Sequence, residues 1–184
     1  MNSTNKLIWF AGIPSSGKTT MAMKLELELE WAGKKTILLD DEQIKRVKYS
    51  DSIQKVLDLI GEEYNIIVTP DPRKLPRNPD LIVWCKCSLE EAIKRDRAKI
   101  ITDKDRETET IRFNKFWGSY YIEADLILNT YVSDGGTKTE ENIEKCWQEL
   151  KRKMEELFGD FKWRVCPDQE PKFSSYKPDH SFPF

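Results

Sequence analysis

The chain of 184 residues has a single histidine, His180, and four cysteines, Cys85, Cys87, Cys146 and Cys166. Only Cys85 and Cys87 are close in sequence, and a Cys-x-Cys pair without further ligands is poor zinc spacing. The thiols are therefore expected to be reduced and buried or half-buried, as in a cytosolic protein. No apolar run approaches the roughly 20 residues that a membrane-spanning helix needs. Residues 1–6 (MNSTNK) lack the long apolar stretch and small-residue cleavage site of a signal peptide. An excess of one charge is also missing. Thirty Lys and Arg face 32 Asp and Glu, and the net charge of −2 supplies no global attraction to nucleic acid. A cytoplasmic domain with a well-solvated surface is the expectation, because 34% of its residues are charged.

What is present is an alternation. Short apolar runs are separated by longer amphipathic ones, the pattern of a parallel sheet flanked by helices. Lys6–Ala11 (KLIWFA), Thr36–Leu39 (TILL) and residues 65–69 (NIIVT), 81–85 (LIVWC) and 126–128 (LIL) read as five strands. Residues 17–32, 41–60, 88–101 and 106–122 read as helices, and Thr139–Phe158 reads as the longest, ended by Gly159. Its apolar stripe is Asn142, Ile143, Trp147, Leu150, Met154 and Leu157. Residues 24–31 (KLELELEW) alternate as a strand would, yet Leu, Glu, Met, Lys and Ala are strong helix formers. A helix is expected there, with Met21, Leu25, Leu29 and Ala32 on one face. From residue 160 the periodicity stops. Pro167, Pro171, Pro178 and Pro183 forbid a helix, and residues 160–184 are expected to form an arm or tail beside a domain of residues 1–159.

The strongest motif is Gly12-Ile13-Pro14-Ser15-Ser16-Gly17-Lys18-Thr19, which fits G-x-x-x-x-G-K-[ST] without a mismatch. It stands where a strand feeds a helix, the place where this motif wraps backbone N–H groups around phosphates. In that reading Lys18 neutralises phosphate charge, Thr19 offers its hydroxyl to Mg²⁺, and Thr20 extends the cradle into the helix. The fold class that follows is a three-layer α/β P-loop NTPase or kinase fold with a five-stranded parallel sheet. ATP and Mg²⁺ are the expected ligands.

Residues 8–22 (IWFAGIPSSGKTTMA), Gly33 and residues 38–45 (LLDDEQIK) resemble the adenylylsulfate kinase family. That family carries Leu-Asp-Gly-Asp-x-[Val/Ile]-Arg after its second strand. Matched in order, Asp40 falls on the first Asp, Asp41 on the Gly, Glu42 on the second Asp and Lys45 on the Arg. Residues 87–92 (CSLEEA), followed by Arg95-Asp96, resemble the family's step into its lid, here about residues 95–122. Two departures are visible. The family's Asp-Arg and Asn-Ile-Arg-Arg segment is replaced by residues 48–59 (KYSDSIQKVLDL), and the third strand ends in Thr69-Pro70-Asp71-Pro72. Residues 104–113 with Tyr120, Tyr121 and residues 124–130 (ADLILNT) are similar to the lid and last strand of cytidylate-kinase-like proteins. An Asp-Asp pair near a P-loop also resembles polynucleotide 5′-kinases.

These resemblances imply an ATP-dependent kinase with a small, nucleotide-like acceptor. Alternative readings are a nucleoside monophosphate kinase, a polynucleotide 5′-hydroxyl kinase, or a non-catalytic ATP-gated binding module. Asp40, Asp41 and Glu42 are candidates for the base that takes the acceptor's proton, Asp40 and Glu42 favoured by motif position and Asp41 as the polynucleotide-kinase-like alternative, with Asp40 also a candidate for Mg²⁺. Lys18 and Arg95 are candidates for stabilising the transferring phosphoryl group. Lys45, Arg46 and Arg112 are candidates for gripping an anionic acceptor. Asp71 reads equally as a metal carboxylate or as part of a turn.

Overall fold

A computed structural model describes residues 5–46, 50–98, 108, 110–112, 115, 123–130, 139–159 and 161–163. Five strands, β1 (Lys6–Ala11), β2 (Thr36–Leu39), β3 (Tyr64–Val68), β4 (Leu81–Lys86) and β5 (Leu126–Asn129), form one sheet in the order β2-β3-β1-β4-β5. Every pairing is parallel; Ile8 is in register with Ile66 on one side and Leu81 on the other. Parallel strands need crossovers. These include α1 (Lys18–Trp31), α2 (Asp41–Arg46), α3 (Ser50–Ile60) and α4 (Leu89–Ala98); α5 (Thr139–Phe158) follows β5.

Side chains alternate across a strand, and β1 uses both faces. Ile8 and Phe10 join Met21, Leu25, Leu29, Leu150 and Met154 in a core between the sheet and α1 and α5. Leu7, Trp9 and Ala11 join Ile44, Ile53, Leu57 and Trp84 in a second core toward α2 and α3. Burying one such large side chain contributes about 1.5–3 kcal/mol, so a central strand buried on both faces is the anchor of the domain. Its C-terminal end is therefore a rigid place to attach a loop. With β3 on one side and β4 on the other, that end is also where the strand order reverses, the usual ligand crevice of an open parallel sheet.

The alternating stretch at residues 24–31 is helical, and Met21, Ala22, Leu25 and Leu29 are its buried face. One expected helix over residues 41–60 is instead two, α2 and α3, with residues 47–49 outside the described set. On α5 the stripe runs through Cys146, Trp147, Leu150 and Met154, whereas Leu157 is 42% exposed. Phe158 takes the inward place, meeting Tyr64 edge-on at 6.0 Å. Of the helix expected at residues 106–122, residues 108, 110–112 and 115 are described, all helical.

Beyond Gly159 (φ 92°) the chain turns back onto the domain. Phe161 packs against Tyr64, and Trp163 meets Trp147 edge-on at 5.4 Å while its Nε1 donates to Glu155 at 2.6 Å. Residues 164–184, most of the expected tail, lie outside the described residues. Among the described residues no helix is long and apolar enough to cross a membrane. Cys85, Cys87 and Cys146 are free thiols. Complete burial pushes Cys85 up to about 12, which keeps it protonated.

Candidate active site

Immediately after β1 the chain enters the Gly-rich loop. Gly12 has φ 136°, and a Cβ there would stand 2.5 Å from the Cys85 carbonyl oxygen and 2.7 Å from Ser16 Oγ. Only glycine lets the loop lie this close to β4. Ser15 (φ 57°) and Gly17 (φ 87°) complete the turn, and Gly17 caps α1 in a left-handed conformation. No side chain caps α1 and no acid stands in its first turn. The helix thus presents uncapped N–H groups and its positive dipole end to the cleft, the arrangement that receives phosphate.

That cleft has a volume of about 240 Å³. Pro14, Ser15, Gly17, Lys18, Thr19 and Thr20 line one side; Asp40, Asp41 and Glu42 line another, with Val68 and Pro70 between. Gly12, Ile13 and Ser16 are buried beneath the loop. The Lys18 ammonium lies over the loop and donates to the Ile13 carbonyl at 2.7 Å. Ser16 Oγ is fully buried and has no hydrogen-bond partner among the described residues, an orphaned polar atom in the cradle.

The three acids differ in what holds them. Asp40 Oδ1 accepts the Glu42 and Gln43 N–H groups at 2.9 Å each, and Gln43 Oε1 accepts the Asp40 N–H at 2.9 Å. This is a reciprocal capping box at the start of α2, and the spacing Asp40-Asp41-Glu42-Gln43 carries its signature. Glu42 is exposed. Asp41 is tied across the cleft floor: its Oδ1 accepts from Thr69 Oγ1 at 2.7 Å and from Lys74 Nζ at 3.2 Å. Asp71 is held by its own turn. Hydrogen bonds from Arg73 take both its oxygens and keep its carboxyl below the usual range, so it serves the Pro72–Lys74 3-10 turn.

Arg95, on α4, donates Nε to Glu91 at 3.0 Å, Nη2 to the Thr130 carbonyl at 2.8 Å and Nη1 to the Ser15 carbonyl at 3.4 Å. It stands behind the loop, joining α4 to the cradle, and does not line the cleft. Lys45 and Arg46 belong to α2, but their side chains lie outside the described set, as do Tyr120 and Tyr121. Arg112 is exposed on its helical stretch. Trp84 is a core residue at 6% exposure.

Three contributors were not singled out from sequence. The Thr130 hydroxyl lies 2.6 Å from the Ser16 carbonyl and 2.9 Å from the Lys86 carbonyl, supporting the cradle from the end of β5. Thr69 and Lys74 brace Asp41. Their partners are 28 to 114 residues away, so no local pattern announces them.

A family model for adenylylsulphate kinase matches residues 4–56, from β1 through the cradle and the acid cluster into α3. An adenylyl-sulfate kinase of Staphylococcus epidermidis is 31% identical over 138 residues, which span 62% of this chain and 69% of that protein. A shikimate kinase from Bacteroides thetaiotaomicron superposes with a TM-score of 0.53 at 15% identity, covering 82% of this chain and 98% of that one. This last likeness concerns the fold alone.

Proposed function

We propose, for a chain that belongs to the adenylylsulfate kinase family and is a P-loop phosphotransferase, that it moves the γ-phosphoryl group of ATP to a hydroxyl of a small, nucleotide-like acceptor. The observation that carries this reading is the cleft itself. An uncapped helix N-terminus and Lys18 line it beside three carboxylates, so a phosphate pole meets an acidic pole. Phosphoryl transfer asks for little else, because positioning and charge stabilisation supply most of the catalysis.

In this reading the N–H groups of residues 17–20 at the start of α1, with those of the loop before it other than Pro14, cradle the β- and γ-phosphates, and Lys18 leaves the Ile13 carbonyl to neutralise them. The acceptor oxygen attacks the γ-phosphorus, the bond to the β,γ-bridging oxygen breaks, ADP leaves, and the acceptor's proton passes to a carboxylate. Asp41 is our choice for that base, since its Oδ1 is fixed by two side-chain donors from beyond β3, while Asp40 caps α2 through Oδ1 and is the carboxylate that would serve the ion. The residues present fit Mg²⁺: the Thr19 hydroxyl and the Asp40 carboxylate are hard oxygen donors on the same cleft. Bound there, the ion would supply charge neutralisation for the phosphate oxygens. Arg95 holds the Ser15 carbonyl and so keeps the cradle in shape.

The test compares Asp41→Asn with Asp40→Ala, which removes the side-chain cap of α2. Loss of the base is expected to lower kcat by about 10²–10⁴-fold with ATP affinity retained. Losing the cap is expected to destabilise α2 by about 1 kcal/mol. An Asp41→Asn enzyme that turns over at the wild-type rate would remove Asp41 from the chemistry.

A further inference from the structure

We infer that Thr69 and Lys74 are positioning residues for the Asp41 carboxylate, a conclusion that rests on Asp41 being the base. Thr69 follows the last residue of β3 and is fully buried. Its carbonyl accepts from Trp9 Nε1 at 2.8 Å, and its Oγ1 accepts the Asp71 N–H at 3.2 Å. A hydroxyl has one proton, and with the Asp71 N–H on its lone pair that proton is directed to Asp41 Oδ1 at 2.7 Å. Lys74 closes the 3-10 turn, its N–H donating to the Asp71 carbonyl at 3.1 Å. From there its ammonium reaches the same Oδ1 at 3.2 Å.

Two donors on one oxygen fix the plane of the carboxylate and leave Oδ2 as the oxygen for the cleft that Asp41 lines. The ion pair adds little to stability. The Lys74 and Asp41 side chains are 29% and 33% exposed, and pairs that open to water contribute about 0–1 kcal/mol. Geometry explains the arrangement, because a base displaced by about 1 Å loses on the order of 10²-fold in rate. By the resemblance to the family's Leu-Asp-Gly-Asp motif, Asp41 falls on its glycine. A carboxylate added at that position needs supports of its own, and the Thr-Pro-Asp-Pro end of β3 provides them.

The experiment is a double-mutant cycle on the full chain. It measures ADP release from Mg-ATP, with water as acceptor and again with adenylylsulfate added. Thr69→Val and Lys74→Met are each expected to lower kcat about 10–100-fold while KM for ATP moves less than about 2-fold. Thr69→Ser is expected to recover most of the rate. In an Asp41→Asn background neither substitution should lower the rate further, since the carboxylate they aim is gone. Equal losses in both backgrounds would make the two residues merely structural and overturn the inference. So would wild-type turnover by Thr69→Val and Lys74→Met beside a dead Asp41→Asn, an outcome that leaves the base reading standing. Wild-type turnover by Asp41→Asn would overturn both. Circular dichroism and ATP affinity of each variant separate misfolding from a displaced base.

Discussion

Replacing Gly12 by alanine separates the two things the cradle asks of that residue, a backbone conformation and a close approach. At φ 136° an L-residue is strained by about 1–3 kcal/mol wherever it sits. The new methyl group would also lie 2.5 Å from a backbone carbonyl of β4, a contact no rotamer relieves, and 2.7 Å from the buried Ser16 hydroxyl. Relieving it means lifting the loop off β4, with overpacking of about 1–3 kcal/mol in addition. The expected total is about 2–6 kcal/mol. For a domain of this size that lowers Tm by roughly 4–24 °C. Gly61→Ala is the matched control: φ is 66° and nothing lies within 4 Å of its Cβ, so only backbone strain of about 1–2 kcal/mol remains. Calorimetry gives the stability of both variants, and titration with ATP gives their affinity. Gly12→Ala should lose stability beyond the control and at least tenfold in ATP affinity. Equal Tm shifts with ATP affinity intact would refute the close packing of the loop on β4.

Two further outcomes follow from the same geometry. Thr130→Val removes the hydroxyl beside the Ser16 and Lys86 carbonyls and should cost about 1–2 kcal/mol in urea denaturation, with weaker ATP binding because the cradle loses its rear support. Glu26, on α1, has its pKa raised to about 7 by burial and by the neighbouring Glu30. A raised carboxyl pKa means that its contribution is complete below about 4.5 and is lost as pH rises through about 7. After allowance for its partial exposure, the wild type should lose about 1–2 kcal/mol more than Glu26→Gln between pH 5 and pH 8 in denaturant melts.

The parts of this molecule that could be read from sequence are those whose causes are local. β1 announces itself as an apolar run, and the Gly-rich loop as a set of residues required by its own backbone. α1 was readable against its alternating pattern because helix propensity and the demand of the loop agreed. The break between α2 and α3 escaped, although the capping signal in Asp40-Asp41-Glu42-Gln43 marks where α2 starts; its end falls in a stretch without Gly or Pro. The division of labour among the three acids was hidden for a different reason. Asp40 is a cap through neighbours two and three residues away, but Asp41 depends on Thr69 and Lys74, which only the β2-β3 pairing brings near. Arg95 illustrates the same limit. Its place on α4 was readable, yet its guanidinium supports the cradle from behind.

The most direct test of the central claim is ADP release from Mg-ATP by the full chain and by Lys18→Ala. The acceptors are adenylylsulfate, the nucleoside monophosphates, nucleosides and 5′-hydroxyl oligonucleotides. The account predicts that a small nucleotide-like acceptor raises ADP release by the wild type and that Lys18→Ala abolishes it with every acceptor. Tight ATP binding without phosphoryl transfer to any of them, or full-rate turnover by Lys18→Ala, would contradict it.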